Sequence, residues 1–285
     1  MKPRTRQYVT APRYTSATSR QAETRESSFR VVSYNILADG PHYALSFRHQ
    51  YCSIRDRLWE SRYPRILAEI DGYDADILCL QETTAGTFRK NFAVDLQASG
   101  YRAIHAIRNR QAGHHTTAVF VRNESFSVVH LVMLRYADMA LELLKEESSV
   151  PMRNVLKLLT EFDDVAIICH LRHRASETPV VVATTHLHYN PINPHLKAMQ
   201  SWLLMEALQS HLTKWSLDPH ETHLVLAGDL NSLPNKTVPD EFDTVLPPGG
   251  LVSGVYELIT EGELPTSHLD HPHHENPLGA GASMT

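Results

Sequence analysis

The chain has 285 residues, 42% of them hydrophobic and 21% charged, enough for one large or two small domains around a sizeable buried core. No apolar run approaches the roughly 18 residues that span a membrane, and the first thirty residues lack the apolar middle of a secretory signal, so no membrane partner is expected. A formal net charge of −5 argues against a broad nonspecific nucleic-acid surface and leaves room for a local contact at a site whose carboxylates hold metal ions.

Residues 1–28 read as a disordered basic leader, because Lys2, Arg4, Arg6, Arg13 and Arg20 all precede the first acid, Glu23. An Arg-rich, acid-poor leader also fits mitochondrial targeting, but Pro3 and Pro12 interrupt any helix. An intracellular, cytoplasmic location is therefore favoured, with the mitochondrion as the alternative. Cys52, Cys79 and Cys169 are odd in number and lack metal-ligand spacing, which suits reduced thiols.

Order is expected from Phe29. The run Phe29-Arg-Val-Val-Ser-Tyr-Asn35 predicts a strand that delivers Asn35 to its carboxyl end, and Asp76-Ile-Leu-Cys-Leu-Gln-Glu82 repeats the design with Glu82 at the end. Such ends carry chemistry in layered α/β folds. Taken singly, Asn35 reads as a turn residue and Glu82 as a solvated strand terminus. Between them a helix is expected, with Pro64 in its first turn, Ile66, Leu67 and Ile70 facing inward, and Gly72 ending it.

An antiparallel meander follows, over residues 101–107, 117–121, 126–134, 165–171 and 180–186, interrupted by a Leu-rich helical stretch within 135–160. The last of these runs brings His186 to a strand end, either as a donor to a phosphate oxygen or as a hydrogen-bonded, half-buried histidine. A long amphipathic helix is predicted from about Asn193 to Leu212. Near its first turn, Lys197 reads as solvated, or less readily as a phosphate contact.

The run Leu224-Val-Leu-Ala-Gly-Asp229-Leu-Asn231-Ser232 is a short buried strand, then a turn at Gly228, then a carboxylate and an amide two residues apart on one side. Hard oxygen donors suit magnesium rather than zinc, and the plain alternative is an Asx-type turn. A long surface loop is expected from Leu233 to Gly250, and a last short helix over 253–260. His268, His271, His273 and His274 read as part of a polar tail in preference to a transition-metal site.

Five of these pieces occur in an order that resembles the endonuclease/exonuclease/phosphatase superfamily, more narrowly its deadenylase branch. They are Ser33-Tyr-Asn35-Ile-Leu-Ala38, Leu80-Gln-Glu82, Thr185-His186-Leu187, Gly228-Asp229-Leu-Asn231-Ser232 and Ser253-Gly-Val-Tyr-Glu-Leu-Ile-Thr260. The branch groups carbon catabolite repression type poly(A) nucleases with nocturnin, the angel proteins and the 2′,5′-phosphodiesterases. The resemblance implies an α/β fold, a four-layer α/β/β/α sandwich of two central sheets flanked by helices, over residues 29–272, with 273–285 as a flexible tail.

It also implies a magnesium site, with manganese as the alternative, in which Glu82 holds one ion, Asp229 and Asn231 surround a second, and Asn35 contacts metal or phosphate. His186 would hold the scissile phosphate and Pro191 would meet a substrate base. The implied reaction is 3′–5′ exoribonucleolytic release of AMP from an adenylate-rich RNA 3′ end. A 2′,5′-oligoadenylate phosphodiesterase and a nocturnin-like dinucleotide phosphatase are the enzymatic alternatives. Family members continue with strands bearing an Asp-Tyr motif and a final Asp-His pair, and Ser267-His268-Leu-Asp270-His271-Pro272 fits the loop that precedes that segment and not the pair itself. The expected sandwich therefore lacks its last strands, and a catalytically inactive RNA- or protein-binding relative is the alternative of another class.

Overall fold

Alternation along buried strands sets the layers. The computed structural model describes residues 28–40, 46, 49–106 and 115–274. The leader, apart from Ser28, and residues 275–285 of the tail lie outside the described residues. One sheet holds β1 (Val31–Asn35), β2 (Ile77–Thr84), β3 (Tyr101–His105) and β4 (His115–Arg122) in the order β1-β2-β4-β3. The other holds β5 (Phe126–Arg135), β6 (Val165–His173), β7 (Pro179–His186) and β8 (His223–Asp229) in sequence order.

With a side-chain period of two, each strand divides its residues between two faces. Ile77 and Cys79 on β2 meet Ile167, Cys169 and Leu171 on β6 and Val180 and Val182 on β7 between the sheets. The opposite face of the first sheet, with Leu78, Leu80 and Phe120, packs on Ile66 and Ile70 of α1 (Trp59–Tyr73) and Leu96 of α2 (Ala93–Ala98). The opposite face of the second, with Ile168, Val181 and Ala183, is covered by α3 (Tyr136–Leu143), α4 (Val150–Leu159) and α5 (Pro194–Lys214). The last helix, α6 (Gly254–Glu261), begins at a Ser253 cap and ends at Gly262, in the left-handed region with φ 84. The four-layer α/β/β/α arrangement is the expected one. Cys79 and Cys169 sit between the sheets as free thiols, and burial pushes Cys79 up to about 12 and Cys169 up as well.

Three expectations need correction. The meander does not stay in one sheet: β3 and β4 form a hairpin in the first, and after residues 123–125 the chain crosses to the second. Alternation predicts the strands, but only the burial of Phe126 between the sheets decides where the chain crosses. Pro64 lies inside α1, because Ser61 and Arg62 already donate to the Leu58 carbonyl one turn earlier. The end of α1 is supplied by Asp74 at φ 48, whose N–H donates to Asp71 O, and not by Gly72.

Both parallel pairs, β1 with β2 and β7 with β8, run to the same end of the sandwich. There the residues from the two sheets meet. Among the described residues no helix is long and apolar enough to cross a membrane.

Candidate active site

Asn35 closes β1 and Asp229 closes β8, so each is presented at a strand end by the pairing of its own sheet. Although 194 residues separate them, Asn35 Nδ2 donates to Asp229 Oδ2 at 2.8 Å. The same nitrogen donates to Glu82 Oε1 at 2.9 Å, so one amide holds two carboxylates from two sheets. The Asn35 oxygen accepts Leu37 N–H at 2.9 Å, which orients the side chain.

Glu82 does not end its strand, as the sequence suggested. β2 continues to Thr84, and Glu82 stands where the register with β4 shifts between Leu80 and Thr83. Its φ of 65 is left-handed, a conformation that costs a non-glycine residue about 1–3 kcal/mol and that recurs at functional sites. The bulge turns the carboxylate toward the sandwich end, where Oε2 accepts Ala38 N–H at 2.8 Å. The loop that supplies this N–H is held by Arg62 of α1, which donates to the carbonyls of Ile36, Leu37 and, at 3.3 Å, Ala38.

The Asp229 turn is set by close approach. Gly228 pairs with Thr185 of β7, and a Cβ at Gly228 would lie 2.1 Å from the Thr185 carbonyl oxygen, so no side chain fits there. Beyond it, Asn231 N–H donates to Asp229 Oδ1 at 2.9 Å, and Asn231 Nδ2 donates to Leu187 O at 2.8 Å. This commits the amide nitrogen and leaves the amide oxygen as the end suited to a ligand.

His186 is the register partner of Asp229, with Nε2 3.9 Å from Asp229 Oδ2 and the ring largely buried. Behind it, Asp164 accepts Gln200 Nε2 at 2.8 Å, Gln200 Oε1 accepts His188 N–H at 2.9 Å, and Tyr136 and Thr185 share a hydroxyl contact of 2.8 Å. These buried contacts fix the segment that carries His186. Pro191 lies exposed on the following loop, in which Ile192 N–H donates to Asn190 Oδ1 at 3.0 Å, so it stands at the rim and not within the cluster.

Glu82 Oε1 and Asp229 Oδ2 both accept from the single Asn35 nitrogen, which brings the two carboxylates together. Among the described residues no group of three His, Cys, Asp or Glu gathers closely enough to hold a metal. A divalent cation here would take Glu82, Asp229 and the Asn231 amide oxygen, hard oxygen donors that suit magnesium or manganese better than zinc. The histidines near the C-terminus take backbone partners: His268 Nε2 meets Val252 O at 3.0 Å and His274 Nε2 meets Thr266 O at 2.7 Å.

Sequence reasoning missed Arg62, whose targets lie 24 to 26 residues earlier in the chain, and the Asp164–Gln200 pair. It also misplaced Lys197, which is only 5% exposed and not solvated. The signal was an isolated lysine in the run from Leu196 to Gln200 on α5, all of it buried.

Comparison with known proteins places this geometry. The sequence model of the Endonuclease/Exonuclease/phosphatase family matches residues 32–251. The CCR4-Not complex 3′-5′-exoribonuclease subunit Ccr4 of Candida albicans is 27% identical over 230 residues, 76% of this chain and 29% of that one. The CCR4-NOT transcription complex subunit 6-like-A of Xenopus laevis is 28% identical over 85% of this chain and 45% of its own length. The chain thus spans less than half the length of either curated relative. Among solved structures, ANGEL2, a 2′,3′-cyclic phosphatase in complex with adenosine-2′,3′-vanadate, superposes with TM-score 0.61 at 24% identity over 83% of this chain and 58% of that one. The human Nocturnin catalytic domain superposes with TM-score 0.53 at 23% identity, over 72% and 65% respectively. The chain belongs to the endonuclease/exonuclease/phosphatase family.

Proposed function

We propose that the chain carries the catalytic core of a magnesium-dependent phosphodiesterase of deadenylase type, which releases AMP from the 3′ end of adenylate-rich RNA. The observation that carries this reading is the convergence of Glu82, Asp229 and His186 around Asn35 at the end of both sheets. Glu82, Asp229 and the Asn231 oxygen would hold magnesium, or manganese in its place. When bound, such an ion stabilises charge on a scissile phosphate and lowers the pKa of an attacking water.

The chain's own residues do the rest. Asn35 fixes the separation of the two carboxylates, and the imidazole of His186 donates a hydrogen bond to a non-bridging phosphate oxygen, where negative charge develops. The exposed loop with Pro191 offers an apolar edge to the terminal base. The curated relatives named as 3′-5′-exoribonucleases support the substrate class and the direction of attack.

The test is release of AMP from a 3′-oligoadenylate by this chain with and without magnesium, beside Glu82→Ala, Asp229→Ala and a 2′,5′-linked substrate. RNA ending in a 2′,3′-cyclic phosphate belongs in the same assay, because the ANGEL2 neighbour is a 2′,3′-cyclic phosphatase. Magnesium-dependent release from the 3′-linked substrate that both substitutions abolish is the expected result. Preference for either other substrate would replace the adenylate reading, and a folded chain inert toward all three would favour a binding module.

A further inference from the structure

Lysine rarely enters a protein interior, because removing its ammonium from water costs several kcal/mol unless partners replace the lost hydration. Lys197, on the first turn of α5, is 5% exposed, and its Nζ donates to the main-chain carbonyl of Asn231 at 2.8 Å. Asn231 itself has φ 46, in the left-handed region. It lies two residues beyond the end of β8, so its carbonyl has no partner in the β7–β8 ladder and takes its donor from elsewhere. Burial lowers the Lys197 pKa, Asp270 and Asp243 act to raise it, and Lys236 lowers it further, so two acids face the buried ammonium.

We infer that Lys197 is a positioning residue for the divalent-cation site: it clamps the Asn231 carbonyl and holds the Asp229-Leu-Asn231 turn in its ligand-presenting conformation. The inference rests on the phosphodiesterase reading and extends it to a residue outside the ligand set. The geometry closes a loop of contacts. Asn231 N–H is tied to Asp229 Oδ1, its side-chain nitrogen to Leu187 O and its carbonyl to Lys197, so the three polar groups are fixed from three directions. Releasing the carbonyl frees the residue to relax out of the left-handed region, and the Asn231 amide oxygen and the Asp229 carboxylate then lose their common aim.

A purely packing role differs in what it predicts for binding, not for stability. Methionine matches the length and apolar stem of lysine without its charge, so Lys197→Met would be neutral or stabilising and would keep wild-type cation affinity and wild-type exchange if the side chain only filled space. The experiment is Mn²⁺ binding to the full chain by electron paramagnetic resonance, without substrate, for wild type, Lys197→Met and Lys197→Gln, together with hydrogen exchange at the Asn231 amide. Expected is an unchanged or raised Tm for Lys197→Met, with Mn²⁺ affinity weaker by roughly 10–100-fold, the range for partners that orient ligands. Lys197→Gln, which keeps an N–H donor, should fall between the two.

Asn231 amide exchange should quicken about tenfold in Lys197→Met, in step with the lost affinity. Wild-type affinity and wild-type exchange in folded Lys197→Met would overturn the inference, and Lys197→Gln decides by the same two readouts if the methionine variant does not fold. A wild-type chain that binds no Mn²⁺ counts against the proposed function. The exchange rate then still decides whether Lys197 holds the turn.

Discussion

At Gly228 the close approach of two backbones decides the position of the Asp229 carboxylate. The parallel pair brings the Thr185 carbonyl oxygen to 2.1 Å from where a Cβ would stand, and φ at Gly228 is 144, far from where an L-residue rests easily. Gly228→Ala must push β8 away from β7, and Asp229 moves with it. Backbone cannot yield as a side chain tip does, so the cost should reach about 3 kcal/mol, the upper range for overpacking. For a chain of this size that corresponds to a Tm lower by roughly 6–12 °C. Calorimetry should show that drop, and Mn²⁺ titration of the folded fraction should show weakened binding. An unchanged Tm would mean that β7 and β8 are looser than their register indicates. Glu82 shows the reverse economy: its left-handed backbone is retained, and the return is a carboxylate aimed across the gap between two sheets.

Among the elements, α1 serves the site from outside it. Its inner face packs Ile66 and Ile70 on the first sheet, which fixes the helix, and the fixed helix puts Arg62 under the carbonyls of Ile36, Leu37 and Ala38. Removing that guanidinium in Arg62→Met leaves three carbonyls short of a charged donor, worth about 1.5–3 kcal/mol. The loop that supplies Ala38 N–H to Glu82 should loosen. Far-UV circular dichroism should stay at the wild-type level while Mn²⁺ affinity falls by roughly tenfold, as for other outer contacts. Full affinity would show that Glu82 is held by its bulge alone.

The strands themselves were legible, because apolar runs that stop at Asn35, His186 and Asp229 carry their own ends in the sequence. Glu82 was only half legible: the run before it predicts a strand, but the bulge exists only through pairing with β4. Arg62 was not legible, and Lys197 was legible only as an isolated lysine in an apolar run, not in its partner. A basic residue on a helix is solvated by default, and what overrides the default is a carbonyl brought in from another part of the chain, 34 residues away for Lys197. The same limit hid the sheet change after β4, since alternation reports which residues share a face and not which sheet the face belongs to.

For the molecule as a whole, the two sheets bury histidines that have little to gain from protonation. His105 stacks on Phe88 with ring centroids 4.2 Å apart, and burial, with Arg89 nearby, lowers it to about 4. Across the sandwich, His170 and His211 approach each other and Trp215 at ring distances of 5.3 to 6.1 Å. Burial lowers both, and their surrounding charges are all basic: Arg172 and His130 beside His170, and His170, His130 and Lys214 beside His211. His105 Nε2, His170 Nδ1 and His211 Nε2 are buried without a hydrogen-bond partner, so the neutral ring is the form the fold accepts.

The sign follows from these directions. Above pH 6.5 the rings are neutral in both folded and unfolded chain and contribute no pH dependence. Below it the unfolded chain binds protons first, so stability falls until the folded pKa is reached, near 4 for His105, and then levels off for that group. Calorimetry from pH 7 to pH 4 should therefore show Tm decreasing steadily. His105→Phe, which keeps an aromatic ring against Phe88 and removes the titration, should make that decline shallower while raising or preserving Tm at pH 7. A decline of equal slope in the variant would assign the acid sensitivity to His170, His211 and the carboxylates without His105, because their protonation acts in the same direction and only the difference between the two slopes isolates the His105 imidazole.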